Sequence, residues 1–388
     1  MKTLHVSQIQ KASLALHKKN RGKICVQGKI HVKDLADLSL VYTPGVGAVS
    51  TAIAKNNALA DTMTWRRNTV AVVSDGSAVL GLGNIGPLAA LPVMEGKCLI
   101  FKKFTDIDAI PIVLATQDTE EIIRTVQALE PSFGAIQLED ISAPRCFEIE
   151  HRLSESLKIP VMHDDQHGTA IVVLAGLINA LQVTKRKNIF DIRIVINGSG
   201  AAGIAIAKLL YAAGYKNSIC CDTHGAIFAG RKDLTDVKKE LSTYTNVLNK
   251  QGTLSEIISG ADVFIGVSAA GAVTPDMVAR MNVNPIIFAL ANPVPEILPS
   301  LAKKAGCAIM ATGRSDFPNQ INNALVYPGL FRGMLDTHIT TVTNEIKIRA
   351  AHALAGFIKK PNANNILPSI FAKGLHQVIA RSIKKSQG

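Results

Sequence analysis

A strand running straight into Gly198-Ser-Gly200-Ala-Ala-Gly203 constrains this chain more than any other stretch. The pattern G-x-G-x-x-G is weak in isolation. Here the apolar run 191–197 (DIRIVIN) precedes it, a helical run to Tyr211 follows, and Asp222 closes the next apolar run, 218–221 (SICC), 19 residues after Gly203. Strand, glycine turn, helix and distal acid together form a dinucleotide fingerprint. The first glycine permits the tight turn and the second lets backbone approach a pyrophosphate. The third lets helix and strand pack closely, and the phosphates sit on the helix N-terminus. Gly198, Gly200, Ala201, Ala202 and Gly203 are thereby assigned to a nicotinamide cofactor. Asp222 suits the two ribose hydroxyls of NAD, which tips the reading toward NAD. Arg231 and Lys232 follow closely and could meet a 2′-phosphate, so NADP stays open.

Other short apolar runs alternate with helical intervals. They are 69–73 (TVAVV), 98–101 (CLIF), 110–114 (IPIVL) and 135–138 (AIQL) in the first half, then 262–267 (DVFIGV), 286–290 (IIFAL) and 307–310 (CAIM) in the second. That alternation predicts parallel α/β sheets. At about 150 residues per domain, 388 residues suit two or three domains, and the pattern of strands divides the chain into two, 1–162 and 163–388. Residues 1–33 read as a polar, partly helical lead-in. No period of repeat length is visible, which argues against a solenoid.

The net charge of +12 hints at an anionic partner, but its distribution removes the hint. Residues 1–33 carry eight basic residues and no acid, residues 351–388 carry six and no acid, and 34–350 is left at −2. The basic residues also lack the interleaved aromatics of a single-strand binding surface. No nucleic-acid partner is expected. The longest apolar run, 170–178, has nine residues, far short of the roughly 20 that span a bilayer, so no membrane partner is expected either. The six cysteines form no CxxC pair, and the N-terminus has no signal-peptide apolar core. A reducing, cytoplasmic setting is the expectation.

Two acidic stretches carry further chemistry. His163-Asp-Asp-Gln-His167 superficially matches the zinc-protease pattern H-E-x-x-H, but Asp is one methylene shorter than the base such a site needs. The better reading takes carboxylates as ligands. Glu139-Asp140 ends the run AIQLED, and Asp165 lies at a helix start. Together they make an oxygen-rich site for Mg²⁺ or Mn²⁺, against the plainer reading of solvated acids and helix caps. Lys97 directly precedes CLIF, read as a strand, where burial would lower its pKa toward that of a general base. Tyr42, before a Thr-Pro-Gly turn, is a possible proton donor.

These pieces resemble the malic enzyme family, in particular its shorter bacterial members. The stretches that carry the resemblance are VYTPGVG (41–47), VAVVSDGSAVLGLGNIGPLAALPVMEGK (70–97), LEDISAP (138–144), HDDQHGTA (163–170), NGSGAAG (197–203), FALANPVPE (288–296) and SDFPNQINNALVYPGLFRG (315–333). They run in family order over most of 35–335. The resemblance implies an N-terminal α/β malic-enzyme domain followed by a Rossmann-type NAD(P)-binding domain. It implies oxidative decarboxylation of (S)-malate to pyruvate and CO₂, with a malolactic outcome as the alternative. It implies Lys97 as general base on the C2 hydroxyl, Asp164 as the partner that tunes it, and Tyr42 as the acid that protonates the enol of pyruvate. Glu139, Asp140 and Asp165 would hold the metal, and Asn292 and Asn323 would help fix malate and the nicotinamide. A homodimer is implied as well. The chain departs from the family in lacking the DRG arginine of longer members that grips a substrate carboxylate, which leaves that contact open. Arg66 and Arg67 do not match that motif, Ala48 replaces a usual acid after YTPGV, and Arg145 stands where an acid is common.

Overall fold

The computed structural model describes residues 6–383 apart from Leu80. The chain begins with α1 (Val6–Asn20), α2 (Leu35–Val41), α3 (Val46–Lys55) and α4 (Ala60–Met63). Asp34 opens α2 by accepting the Asp37 N–H, as a short acid at an N-cap does. No residue of α2, α3 or α4 is buried, and Leu14, Ile30, Leu35, Leu40 and Trp65 all face outward.

The first sheet is parallel, in the order β2-β1-β3-β4, from β1 (Thr69–Ser74), β2 (Asp108–Val113), β3 (Ala135–Leu138) and β4 (Val161–His163). Its helices are α5 (Pro87–Thr105), α6 (Thr119–Leu129) and α7 (Arg145–Ser156). β1 is buried throughout, which suits its four β-branched residues, Thr69, Val70, Val72 and Val73. The structure corrects one expectation: CLIF is not a strand but part of α5. Ala90, Met94, Cys98 and Phe101 are the buried residues of that helix, spaced four, four and three apart. Lys97 therefore projects from a helix and not from a strand edge. β4, three residues long, was not anticipated from sequence.

α8 (Asp164–Val183) leads into the second sheet. Fourteen of its twenty residues are buried, so it is apolar nearly all round. By length and composition it could cross a membrane, but most of it lies inside the protein. The second sheet has the order β10-β9-β8-β5-β6-β7. Its strands are β5 (Ile194–Asn197), β6 (Ser218–Asp222), β7 (Gly225–Ala226), β8 (Val263–Gly266), β9 (Ile286–Ala289) and β10 (Ile309–Thr312). Numbered within this domain the order is 3-2-1-4-5-6, that of the doubly wound dinucleotide fold, with the two-residue antiparallel β7 in third place. β10 starts two residues later than CAIM suggested, because Gly306, at φ +97°, is still turning the chain out of the preceding helix. Helices α9 (Ala201–Ala212), α10 (Asp236–Leu241), α11 (Leu254–Ile257), α12 (Pro275–Ala279) and α13 (Pro299–Lys304) complete this layer.

The chain then doubles back through α14 (Tyr327–Thr337), α15 (Asn344–Ala355) and α16 (Leu375–Ser382). α14 and α16 pack on α5, and Phe101 makes edge contacts with Tyr327 at 4.8 Å and Phe331 at 5.3 Å between ring centroids. One apolar core runs continuously from β1 through α8 to β5 and β9. His376 of α16 is buried against the ring of Phe104, and burial pushes its imidazole down to about 4. The unfolded chain takes a proton near pH 6.5 that the native chain refuses, so native stability falls as pH drops from there toward 4. His376→Leu is expected to remove about 2 kcal/mol of the stability lost between pH 7 and pH 4.5, read by urea unfolding at both pH values. An unchanged pH dependence would contradict this.

Candidate active site

The C-terminal ends of β1, β3 and β4 meet in one place, the edge where open parallel sheets bind ligands. Glu139 and Asp140 follow β3, and Asp164 and Asp165 follow β4 as the first residues of α8, where the positive end of the helix dipole favours acids. Asp140 takes a left-handed backbone, φ +54°, which Asp tolerates better than most residues. Its N–H donates to Asp165 Oδ2 at 2.8 Å, tying the two acidic segments together. Carboxylate oxygens of Glu139, Asp140 and Asp165 lie within 4.8 Å of one another, the one such group of possible metal ligands found among the described residues. The zinc reading of His163–His167 does not hold in space: His163 is the N-cap of α8, while His167 Nε2 lies 3.0 Å from Glu150.

Lys97 reaches this cluster from α5. Its ammonium lies 2.6 Å from Asp164 Oδ2, 2.8 Å from Glu139 Oε1 and 3.3 Å from Asn323 Oδ1. Asp164 is fully buried and folds over Gly168, where a Cβ would sit 1.9 Å from Asp164 Oδ1, so only glycine fits one turn after this acid. The lowered lysine pKa expected from sequence is corrected. Burial alone would lower it, but Asp164 and then Glu139 outweigh burial and hold Lys97 well above the usual lysine range. Burial, reinforced by Asp165, Asp164 and Asp140 against Lys97, pushes Glu139 well above the usual carboxylate range. Asp164 and Glu139 both pair with the one lysine, and Asp140 and Asp165 stand beside them. The three converging carboxylates Glu139, Asp140 and Asp165 are hard oxygen donors that fit a divalent cation of the Mg²⁺ or Mn²⁺ type.

Tyr42 is not brought to Lys97 within the chain. It caps α2 and is 66% exposed. The tyrosine beside Lys97 is Tyr327, which sequence reading did not single out. Its hydroxyl donates to the Lys97 carbonyl at 3.3 Å, and the Lys97 ammonium stands 4.8 Å from its ring centroid. Arg145 braces the loop after β1, donating to Asp75 Oδ2 at 3.0 Å and Ser142 Oγ at 3.2 Å. Arg66 is paired with Asp61, and Arg67 donates to the Asp336 carbonyl.

The glycine turn of the second domain has the geometry its spacing implied. Gly198, at φ +110°, would drive a Cβ to 2.4 Å from the Val267 carbonyl. A Cβ on Gly203 would come within 1.7 Å of the Gly198 carbonyl, whereas Gly200 faces open space, where a ligand can approach. Ala201 and Ala202 form the first turn of α9. Asp222 lines the same cleft, with Lys238. Burial opposes ionisation of Asp222, but hydrogen bonds from Arg231 at 3.0 Å and Lys238 at 2.7 Å win and hold its carboxyl at about 2. Lys238, and not Lys232, is thus the second cation at this acid. Asn292 lies just beyond β9, and a Cβ on Gly81 would sit 2.5 Å from its carbonyl, so the loop after β1 touches the cofactor-side sheet there.

Fold and cleft define an α/β oxidoreductase of the dinucleotide-binding class. Residues 19–154 match the family description "Malic enzyme, N-terminal domain" and residues 166–385 match "Malic enzyme, NAD binding domain". The chain is 50% identical over 381 residues to the bifunctional malic/malolactic enzyme of Bacillus subtilis, covering 97% of this chain and 93% of that protein. It is 56% identical over 352 residues to the NAD-dependent malic enzyme of Geobacillus stearothermophilus, covering 90% and 73% respectively. The crystal structure of NAD-dependent malic enzyme from Thermotoga maritima superposes with a TM-score of 0.93 at 46% identity, over 96% of this chain and 99% of that one. The chain belongs to the malic enzyme family.

Proposed function

We propose that this enzyme oxidatively decarboxylates (S)-malate to pyruvate and CO₂ while reducing NAD or NADP. The observation that carries the reading is Lys97 clasped between Asp164 and Glu139 at the edge of a three-carboxylate cluster. A divalent cation on Glu139, Asp140 and Asp165 would neutralise the charge that keeps Lys97 protonated and act as a Lewis acid on the C2 oxygen. The nicotinamide of a dinucleotide whose phosphates rest on the glycine turn would accept the C2 hydride. Asp164, at 2.6 Å, is placed to take the ammonium proton, leaving Lys97 neutral to remove the C2 hydroxyl proton. Asn323 orients the lysine from the other side. We assign Asn292 and Asn323 to holding malate and the nicotinamide, and Asp222 to the ribose. Chelating divalent cations is expected to abolish turnover and added Mn²⁺ to restore it. Full activity after chelation would remove the carboxylate cluster from its role.

A malolactic outcome is the second reading, favoured by the name of the Bacillus subtilis relative. Identifying the product separates the two: pyruvate with an equal amount of reduced cofactor supports the first, and lactate without net cofactor reduction supports the second.

We further propose that the enzyme is a homodimer whose second copy covers α2–α4. Short helices without a buried face are not stable alone in water. The uncovered apolar side chains of this arm, flanked by the basic residues of 1–33, need a partner surface. Tyr42 belongs to that arm, and we assign it as the acid that returns a proton to C3 in the site of the second copy.

A further inference from the structure

Glu150, on α7, is used by none of the chemistry above, yet it lies buried against the turn that opens α8. Its Oε1 accepts the backbone N–H of His163 at 2.7 Å. Its Oε2 accepts from Gln166 Nε2 at 2.9 Å and faces His167 Nε2 at 3.0 Å. These three donors bracket Asp164 and Asp165 on both sides. The carboxylate requires the proton of His167 on Nε2, so Nδ1 offers a lone pair. Lys347 Nζ of α15, itself buried, stands 3.3 Å from that atom. Donation therefore runs from Lys347 through His167 to Glu150, where the His163 N–H and the Gln166 amide at the start of α8 converge on the same carboxylate.

The placement of Glu150 matters as much as its partners. Glu139 and Asp140 precede α7 by the four-residue link 141–144, whereas Asp165 lies in the first turn of α8. Glu150 ties α7 to that turn, and the Asp140 N–H to Asp165 hydrogen bond ties the two acidic segments directly. The turn that carries Asp165 is thus held at two points, one within the cluster and one at Glu150.

We propose that Glu150 is the positioning residue of the metal-holding turn, setting Asp165 against Glu139 and Asp140. The proposal rests on the metal reading above. Residues that orient metal ligands typically carry 10–100-fold in metal affinity. Glu150→Gln keeps the volume and the acceptor for His163 but turns an amide donor toward the donors of Gln166 and His167. If His167 changes tautomer to accept it, Nδ1–H then faces the Lys347 ammonium, so one clash replaces another.

The test is a titration of the purified protein with Mn²⁺, followed by the electron paramagnetic resonance of free Mn²⁺ without malate and without turnover. NADH fluorescence and thermal unfolding are measured on the same samples. Wild-type protein that binds no Mn²⁺ would overturn the metal reading itself, apart from anything Glu150 does. With wild-type binding in hand, Glu150→Gln is expected to weaken Mn²⁺ about tenfold and leave NADH binding unchanged. Wild-type Mn²⁺ affinity in a folded Glu150→Gln variant would overturn the proposal. So would a loss shared equally by Mn²⁺, NADH and thermal stability, the signature of a merely structural residue. Glu150→Ala is expected to show the same selectivity with a larger effect, and Glu150→Gln carries the test if the alanine variant does not fold.

Discussion

Lys97→Ala is expected to lower malate oxidation by about three to four orders of magnitude while leaving NADH binding intact. The size follows from what Lys97 touches: two carboxylates within 2.8 Å and Asn323 at 3.3 Å, all in the buried cluster. Removing the ammonium also strands Asp164 and Glu139 without their cation, and breaking a buried pair from one side costs about 3–5 kcal/mol. A loss of activity in the alanine variant alone would therefore mix chemistry with stability. Lys97→Arg separates them, because a guanidinium keeps the charge but does not deprotonate in proteins. It should recover stability in thermal unfolding and remain inactive. NADH fluorescence reports whether the second domain is intact in both variants. Oxidation near the wild-type rate in Lys97→Arg would remove the lysine from its role as base.

The second large effect is expected at Tyr42. Tyr42→Phe should lower overall turnover by about 10²–10³-fold, with proton return to C3 hurt more than hydride transfer. Its location makes a sharper prediction. Tyr42 is on an exposed arm of its own chain, so the site it serves should belong to the second copy. Lys97→Ala and Tyr42→Phe chains are each inactive as homodimers. Unfolded together and refolded at equal amounts, they should regain about one quarter of wild-type activity, since half the dimers are mixed and each has one complete site. No recovery, with mixed dimers demonstrated by mass, would place Tyr42 in the site of its own chain or outside the reaction.

The parts legible in the sequence were those whose partners lie close along the chain. The glycine turn is one: strand, turn and helix are contiguous, and the tightest contact of Gly203 is with Gly198 five residues earlier, although Gly198 itself also meets Val267 beyond β8. The acidic stretches are another, since Glu139-Asp140 and Asp164-Asp165 are adjacent pairs at strand ends, although only the fold brings them together. CLIF was misread because four apolar residues suit a buried strand and a buried helix equally well, and the decisive contacts, Phe101 with Tyr327 and Phe331, come from more than 200 residues away. The pKa of Lys97 failed for the same reason: burial was foreseen, but the two carboxylates that outweigh it reach it only through the fold. Tyr327, Lys238 and Glu150 had no local signal. Each is an ordinary helical residue until tertiary packing aims it at a partner.

The central claim is that this fold couples the Lys97 cluster to the glycine cleft in one reaction. It is tested most directly by incubating the enzyme with (S)-malate, Mn²⁺ and either NAD or NADP, and measuring reduced nicotinamide, pyruvate and CO₂ in the same reaction. All three are expected in equal amounts with at least one of the two cofactors. CO₂ released with no reduced nicotinamide under either cofactor would contradict it.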